Sequence, residues 1–147
     1  MNNFENLKRP MLDRLEKHLI EKKSGRSSYS ILPIELDGSL IPFDVKKTYF
    51  VIGEGQDSES GKHAHLDEKE FFVVLKGKAT FFSIDSEDKE YEIELNECEG
   101  VYVPNLVWHG FSKISADCVI IAYSSEHYRP DRSDYIEDVN VFLNLSK

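Results

Sequence analysis

GKHAHLDEKEFFVVLKG, residues 61–77, is the stretch that decides how the rest of the chain is read. It holds His63 and His65 with one residue between them, Glu70 after four more, and Gly77 after a further six. If 61–65 is extended, alternation sends His63 and His65 to one face of the strand and Ala64 to the other. Two imidazoles then point the same way. Glu70 opens an apolar strand, Phe71 to Leu75, and Lys76-Gly77 supplies a turn that predicts a hairpin into Ala79–Ile84.

A second segment, EGVYVPNLVWH at 99–109, follows further along the chain. The two together carry the spacings HxHxxxxExxxxxxG and GxxxPxxxxH, which are similar to the paired motifs of the cupins. That resemblance implies an all-β fold, a double-stranded β-helix closed into a small jelly-roll barrel. It also implies that His63, His65, Glu70 and His109 converge on the inside of that barrel.

The 147 residues suffice for one domain with a real core. A hydrophobic content of 40% with 12% aromatics describes a folded chain. The net charge of −9 argues against general binding to nucleic acid or to an anionic membrane surface, although it permits a local basic spot for a phosphate. No apolar run is long enough to span a bilayer, and the N-terminus lacks a signal-peptide core. Two cysteines, Cys98 and Cys118, make no disulfide framework, so a cytoplasmic protein with reduced thiols is expected.

Outside the motifs, the chain divides at residue 28. Met11, Leu12, Leu15, Leu19 and Ile20 recur at helical spacing, with Pro10 at a first helical position and Gly25 as a stop. Residues 1–28 therefore read as a helical extension and 29–147 as the β domain. Strands are expected at Ser30–Leu36, broken at Pro33, and at Phe43–Ile52. Further strands are expected at Glu90–Leu95, Gly100–Val103, Trp108–Ser112 and Cys118–Tyr123. Glu90–Leu95 alternates strictly, with Tyr91, Ile93 and Leu95 facing inward. Past Arg129-Pro130, the positions Ile136, Val139 and Leu143 share a helical face, capped by Asp131 or Ser133, which predicts a short C-terminal helix.

Three imidazoles and a carboxylate suit a first-row divalent metal, so His63, His65, Glu70 and His109 form a candidate metal site. The same imidazoles can move protons near neutral pH with no metal at all. Both readings stand on these residues alone. Tyr49, Phe72, Tyr102, Trp108 and Phe111 are candidates to line the pocket, with Tyr49 and Trp108 foremost.

Five segments in order, IPFDVKKTYFV (41–51), 61–77, EGVYVPNLVWHGF (99–111), SADCVIIAYSSEHY (115–128) and DYIEDVNVFL (134–143), resemble the sugar 3,4-ketoisomerases, the FdtA/QdtA or WxcM-like cupins. The resemblance covers about residues 29–143. It implies conversion of dTDP-4-keto-6-deoxyglucose to its 3-keto isomer, a step towards amino sugars of surface polysaccharides, with no metal or other cofactor required. It implies a homodimer, and proton transfer by His63 and His65. Lys47, Tyr49, Glu70, Trp108 and His109 are the residues expected to meet the substrate. Ser60 stands where the family has an arginine. Glu70 stands where it often has glutamine, which keeps a divalent metal on His63, His65, Glu70 and His109 as the alternative. A non-catalytic sugar-binding cupin is the third reading.

Overall fold

The computed structural model describes residues 4, 6–12 and 14–145, and these described residues form twelve strands and one short helix. The first three strands are short: β1 (Lys17–Leu19), β2 (Lys23–Ser24) and β3 (Ser30–Ile31). Longer ones follow, β4 (Lys47–Ile52), β5 (Ala64–His65), β6 (Glu70–Lys76) and β7 (Ala79–Ile84). The rest are β8 (Glu90–Leu95), β9 (Glu99–Val103), β10 (His109–Ser112), β11 (Val119–Ser124) and β12 (Tyr135–Ile136), before helix α1 (Val139–Leu143).

A five-stranded sheet, ordered β1-β9-β6-β11-β4, faces a three-stranded sheet, β10-β7-β8, and every pairing is antiparallel. Strand β6 shows why the order works. Phe71, Phe72, Val73 and Val74 are all buried, as a strand covered on both faces requires. Phe72 and Val74 enter the core between the sheets, beside Phe81, Leu95, Val101, Phe111 and Ile120. Phe71 and Val73 face outward, where Ile20 and Ile41 cover them together with Ile34 and Phe43. The long irregular stretch before β4 therefore serves as a lid for the outer face of the large sheet. The jelly-roll expectation holds.

Three expectations are corrected. No helix forms among the described residues before β1. Instead β1 adds to the open edge of β9, pairing Lys17 with Val101 and Leu19 with Glu99. Leu15 joins the main core and Ile20 the outer layer, while Met11 and Leu19 stay exposed. An odd separation puts two residues on opposite faces of an extended chain, so the apolar spacing that resembles a helix here serves two layers. Gly25, read as a helix stop, turns β2 into β3, its N–H bonding the Tyr29 carbonyl at 2.7 Å. Residues 1–3, 5 and 13 of the expected helix lie outside the described residues.

Second, β6 and β7 are not a hairpin. Each pairs within its own sheet, and the Gly77 turn carries the chain from one sheet to the other. Gly77 has φ +76, and a Cβ there would sit 2.9 Å from the Cys118 Cα, so the crossing needs glycine. Third, the C-terminal helix is shorter than its periodicity suggests. Asp138 caps α1, accepting from the Asn140 N–H at 2.8 Å, and neither Asp131 nor Ser133 does so. Residues 135–136 pair with β5 instead. No helix among the described residues is long and apolar enough to cross a membrane.

Candidate active site

The mouth of the barrel opens into a cavity of about 530 Å³. Strand alternation delivers its lining. On β4 the pattern of half-buried and exposed residues turns Lys47, Tyr49 and Val51 inward. Strand β6 gives Glu70 and Phe72, and β10 gives His109 and Phe111. His63 forms an antiparallel bridge with His109, each backbone N–H bonded to the other's carbonyl at 3.1 and 2.9 Å. That bridge draws both histidine motifs to one spot.

The expected divergence of His63, Ala64 and His65 is present. Ala64 is fully buried in a separate cluster with Phe82 and Ile136. The two imidazoles face the cavity with ring centroids 4.6 Å apart and planes nearly perpendicular, their Nε2 atoms at 3.0 Å. His63 Nδ1 lies 3.2 Å from the Gly61 carbonyl, and His65 Nδ1 lies 2.9 Å from Asp134 Oδ2. His109 Nδ1 is 2.9 Å from the Val107 carbonyl. Tyr49 donates its hydroxyl to Glu70 Oε2. The other oxygen, Glu70 Oε1, lies 2.9 Å from His65 Nε2 and 3.5 Å from His109 Nε2, yet neither approach is aligned as a hydrogen bond.

These contacts drive the two histidines apart electrostatically. Burial pushes His63 down, and the neighbouring His109 and His65 charges push the same way, to about 3. Burial also opposes charge on His65, but the Asp134 hydrogen bond, the close Glu70 carboxylate and the Glu68 charge overcome it and raise the ring to about 9. Burial would raise Glu70, yet the His109 and His65 contacts hold its carboxyl below the usual carboxylate range. Burial, with the Glu70 charge, pushes the Tyr49 hydroxyl well above its ordinary value. At neutral pH the pair is therefore a neutral His63 beside a charged His65.

His63, His65, Glu70 and His109 also offer four ligand atoms that all lie within 4.8 Å of one another, a set able to hold a divalent ion. Lys47 lies at the cavity wall with its Nζ 3.2 Å from Glu68 Oε1. Lys62 bends its Nζ over the Phe82 ring, 4.0 Å from the centroid.

Trp108 is not at the cavity. As the residue before His109 it points to the opposite face, where it packs on Phe142 with ring centroids 5.7 Å apart. Tyr102 likewise lies in the outer layer, against Phe43. The expectation that Trp108 meets the substrate is corrected by this alternation, which applies to any residue next to an inward-facing one. Trp108→Phe should therefore cost about 1–3 kcal/mol of stability and leave KM within about twofold. Thermal unfolding and steady-state kinetics check both halves.

Sequence reading missed Glu68, Arg132, Tyr135 and Glu137 in the lining and Asp134 behind it. Tyr135 sits against both imidazoles, at 5.0 Å from His63 and 4.7 Å from His65 between centroids. A strand of two residues has no period to detect, and the helical pattern of 136–143 masked it.

A family model described as FdtA: WxcM-like, C-terminal matches residues 13–147. The TDP-4-oxo-6-deoxy-alpha-D-glucose-3,4-oxoisomerase of Aneurinibacillus thermoaerophilus is 32% identical over 133 residues, covering 86% of this chain and 93% of that protein. Among solved structures, a mutant of the 3,4-ketoisomerase QdtA from Thermoanaerobacterium thermosaccharolyticum, in complex with TDP-4-keto-6-deoxyglucose, is similar with a TM-score of 0.78. Its sequence identity is 26%, over 91% of this chain and 94% of that one. QdtA in complex with TDP gives a TM-score of 0.77 at 26% identity, over 88% and 92% of the two chains.

Proposed function

The chain belongs to the FdtA family of WxcM-like C-terminal domains, and we propose that it is an isomerase converting dTDP-4-keto-6-deoxyglucose to the 3-keto isomer. The observation that carries the mechanism is the imidazole pair. Two rings 3.0 Å apart at Nε2, at the wall of a cavity, are driven in opposite directions by their surroundings, His63 down and His65 up. A pair of titratable groups driven apart by their surroundings supplies a base and an acid at one pH.

The reaction moves a carbonyl from C4 to C3 and needs no oxidant. Neutral His63 takes the C3 proton at Nε2. The C–H electrons form the C3–C4 double bond, and the C4 carbonyl electrons move onto O4, which receives a proton from His65 Nε2. In the resulting enediol, O3 returns its proton to His65. The C3 carbonyl forms, and the double-bond electrons collect the proton from His63 at C4. His63 delivers on the face from which it abstracted. The charge that builds on oxygen is met by a donor already in place, which is worth more in a buried site than in water. Tyr49, bound to Glu70, and His109 lie beside the pair to contact the sugar.

Incubation with dTDP-4-keto-6-deoxyglucose in D2O tests this reading. Conversion to the 3-keto sugar by NMR is expected, and a substrate left unchanged with no exchange at C3 overturns it.

A metal-dependent reaction is the second reading, favoured by the buried Glu70 Oε1, which lacks an aligned partner where three histidines converge. An ion held there by His63, His65, Glu70 and His109 would polarise the carbonyl and stabilise the enediolate oxygen. Protein purified without added metal should keep full turnover in excess chelator. A chelator-sensitive rate, restored by one divalent metal found in elemental analysis, would move the assignment to the second reading.

The homodimer expected from the family likeness is part of the proposal. Phe50 and Ile52 support it, exposed on the edge strand β4.

A further inference from the structure

Asp134 lies outside the cavity lining, is 4% exposed, and is held at both carboxylate oxygens. Its Oδ1 accepts from the Asp67 N–H at 2.7 Å, and its backbone carbonyl accepts from the Leu66 N–H at 2.7 Å. Its Oδ2 is left to face His65 Nδ1 at 2.9 Å. Asp134 is thus fixed to the two residues that directly follow β5, the strand that carries the histidine.

One line of aligned contacts then runs from Asp134 Oδ2 through His65 to His63 Nε2, and from His63 Nδ1 to the Gly61 carbonyl. Both ends of this line are acceptors. A carboxylate and a peptide carbonyl bring no hydrogen, so each outer nitrogen, His65 Nδ1 and His63 Nδ1, must carry its own. The two inner nitrogens at 3.0 Å need one hydrogen between them, because two bare lone pairs at that distance repel. The Glu70 carboxylate, with Oε1 2.9 Å from His65 Nε2, favours that hydrogen on His65 and leaves His63 Nε2 as the acceptor.

We propose that Asp134 is a positioning residue for the isomerisation: it fixes the His65 ring with a hydrogen on Nδ1, so that the hydrogen on Nε2 faces His63 and the substrate oxygens. This rests on the isomerase reading given above. Deprived of the acceptor, a neutral His65 with a bare Nδ1 would have to become an imidazolate to release its Nε2 proton, and it could no longer serve the oxygens.

A second carboxylate competes for the same N–H. Glu68 Oε2 lies 3.0 Å from His65 Nδ1, but the aligned bond goes to Asp134. Glu68 spends its other oxygen on the Ser124 hydroxyl and on Lys47 Nζ at 3.2 Å. Around the rest of the ring stand Glu70 from β6, His109 from β10 and Tyr135 from β12. None of these meets Nδ1. Arg129 Nη1, 3.8 Å from Asp134 Oδ1, supports the carboxylate from outside.

The test compares Asp134→Asn with Glu68→Gln. An asparagine can still accept from the Asp67 N–H but turns its NH2 towards His65 and demands a bare Nδ1. Asp134→Asn should lower kcat about 100-fold or more, the scale of general acid–base catalysis, with KM within about threefold. Glu68→Gln should lower it tenfold or less. 15N-histidine NMR of the free wild-type protein at neutral pH should show hydrogens on both nitrogens of His65, and that of Asp134→Asn a bare Nδ1. A wild-type His65 with a bare Nδ1 overturns the proposal, as does an Asp134→Asn enzyme within threefold of wild-type kcat, or a Glu68→Gln loss equal to the Asp134→Asn loss. Should Asp134→Asn fail to fold, the wild-type spectrum decides. A wild-type protein with that spectrum but no action on dTDP-4-keto-6-deoxyglucose defeats the isomerase reading and not the assignment of the ring.

Discussion

His63→Asn should reduce kcat by about 1,000-fold or more, near the upper part of the range for removing a general base, while the protein stays folded and binds substrate. The ring is only partly buried and its Nδ1 bonds a single backbone carbonyl, so the fold depends on it little. Asparagine can still offer a hydrogen to the Gly61 carbonyl, but it has no nitrogen lone pair basic enough to take a carbon-bound proton. Neither His109 nor Tyr49 can replace it. His109 Nε2 lies 3.5 Å from the Glu70 Oε1 carboxylate oxygen, and the Tyr49 hydroxyl is committed to Glu70 Oε2 and pushed far from ionisation by burial. The measurement is turnover alongside deuterium exchange at C3 in D2O. Both should vanish together, with KM or dTDP binding little changed and the melting temperature within a few degrees. An enzyme that keeps full activity without His63 removes the residue from the mechanism. An enzyme that keeps C3 exchange but makes no product would place His63 in the second half of the reaction only.

The fold was legible where side-chain period and backbone agree. Glu90–Leu95 shows Tyr91, Ile93 and Leu95 turned inward, as its alternation requires. The histidine run is legible for the same reason, because one intervening residue leaves two imidazoles on one face in any extended chain. Misreadings arose where a pattern served two purposes. Leu15 and Ile20 share an apolar spacing but enter different layers, and only the free edge of β9 explains why the segment is extended. A turn at Gly77 is correct as a turn and wrong as a hairpin, because sequence does not say to which sheet the next strand belongs. Adjacency to His109 suggests the pocket for Trp108, but the alternation that turns His109 inward turns Trp108 away.

At the site, the four motif residues could be named in advance because each sits at a fixed offset inside a regular strand or beside one. The carboxylates that act on His65 could not. Asp134 is 69 residues from the histidine it faces, and nothing local marks it. Acidic residues number 27 in this chain, so an aspartate in a polar run carries no signal of its own. Its partnership depends on a two-residue strand pairing Tyr135 with His65, a contact that only the folded chain creates.

The pH profile follows from the same pair and separates this mechanism from one built on ordinary histidines. With His63 held near 3 and His65 near 9, the active form has the first neutral and the second charged. The base is lost only as pH falls through about 3, so no acid limb is expected between there and neutrality. The acid is lost as pH rises through about 9. The kcat/KM profile, which reports the free enzyme, should therefore be flat through neutrality and fall tenfold per pH unit above about 9. Two unshifted imidazoles, each near 6.5, would instead give a narrow optimum there. Stability carries a matching sign. A ring whose folded value is raised stabilises the fold fully below 6.5 and progressively less as pH climbs through about 9, so the melting temperature should decline across that window. Glu70→Gln removes one of the anions that hold the proton on His65, and the alkaline limb should move to lower pH in that variant. A wild-type limb lying below pH 7, or one that stays put in Glu70→Gln, would mean that His65 is not the group delivering the proton to oxygen.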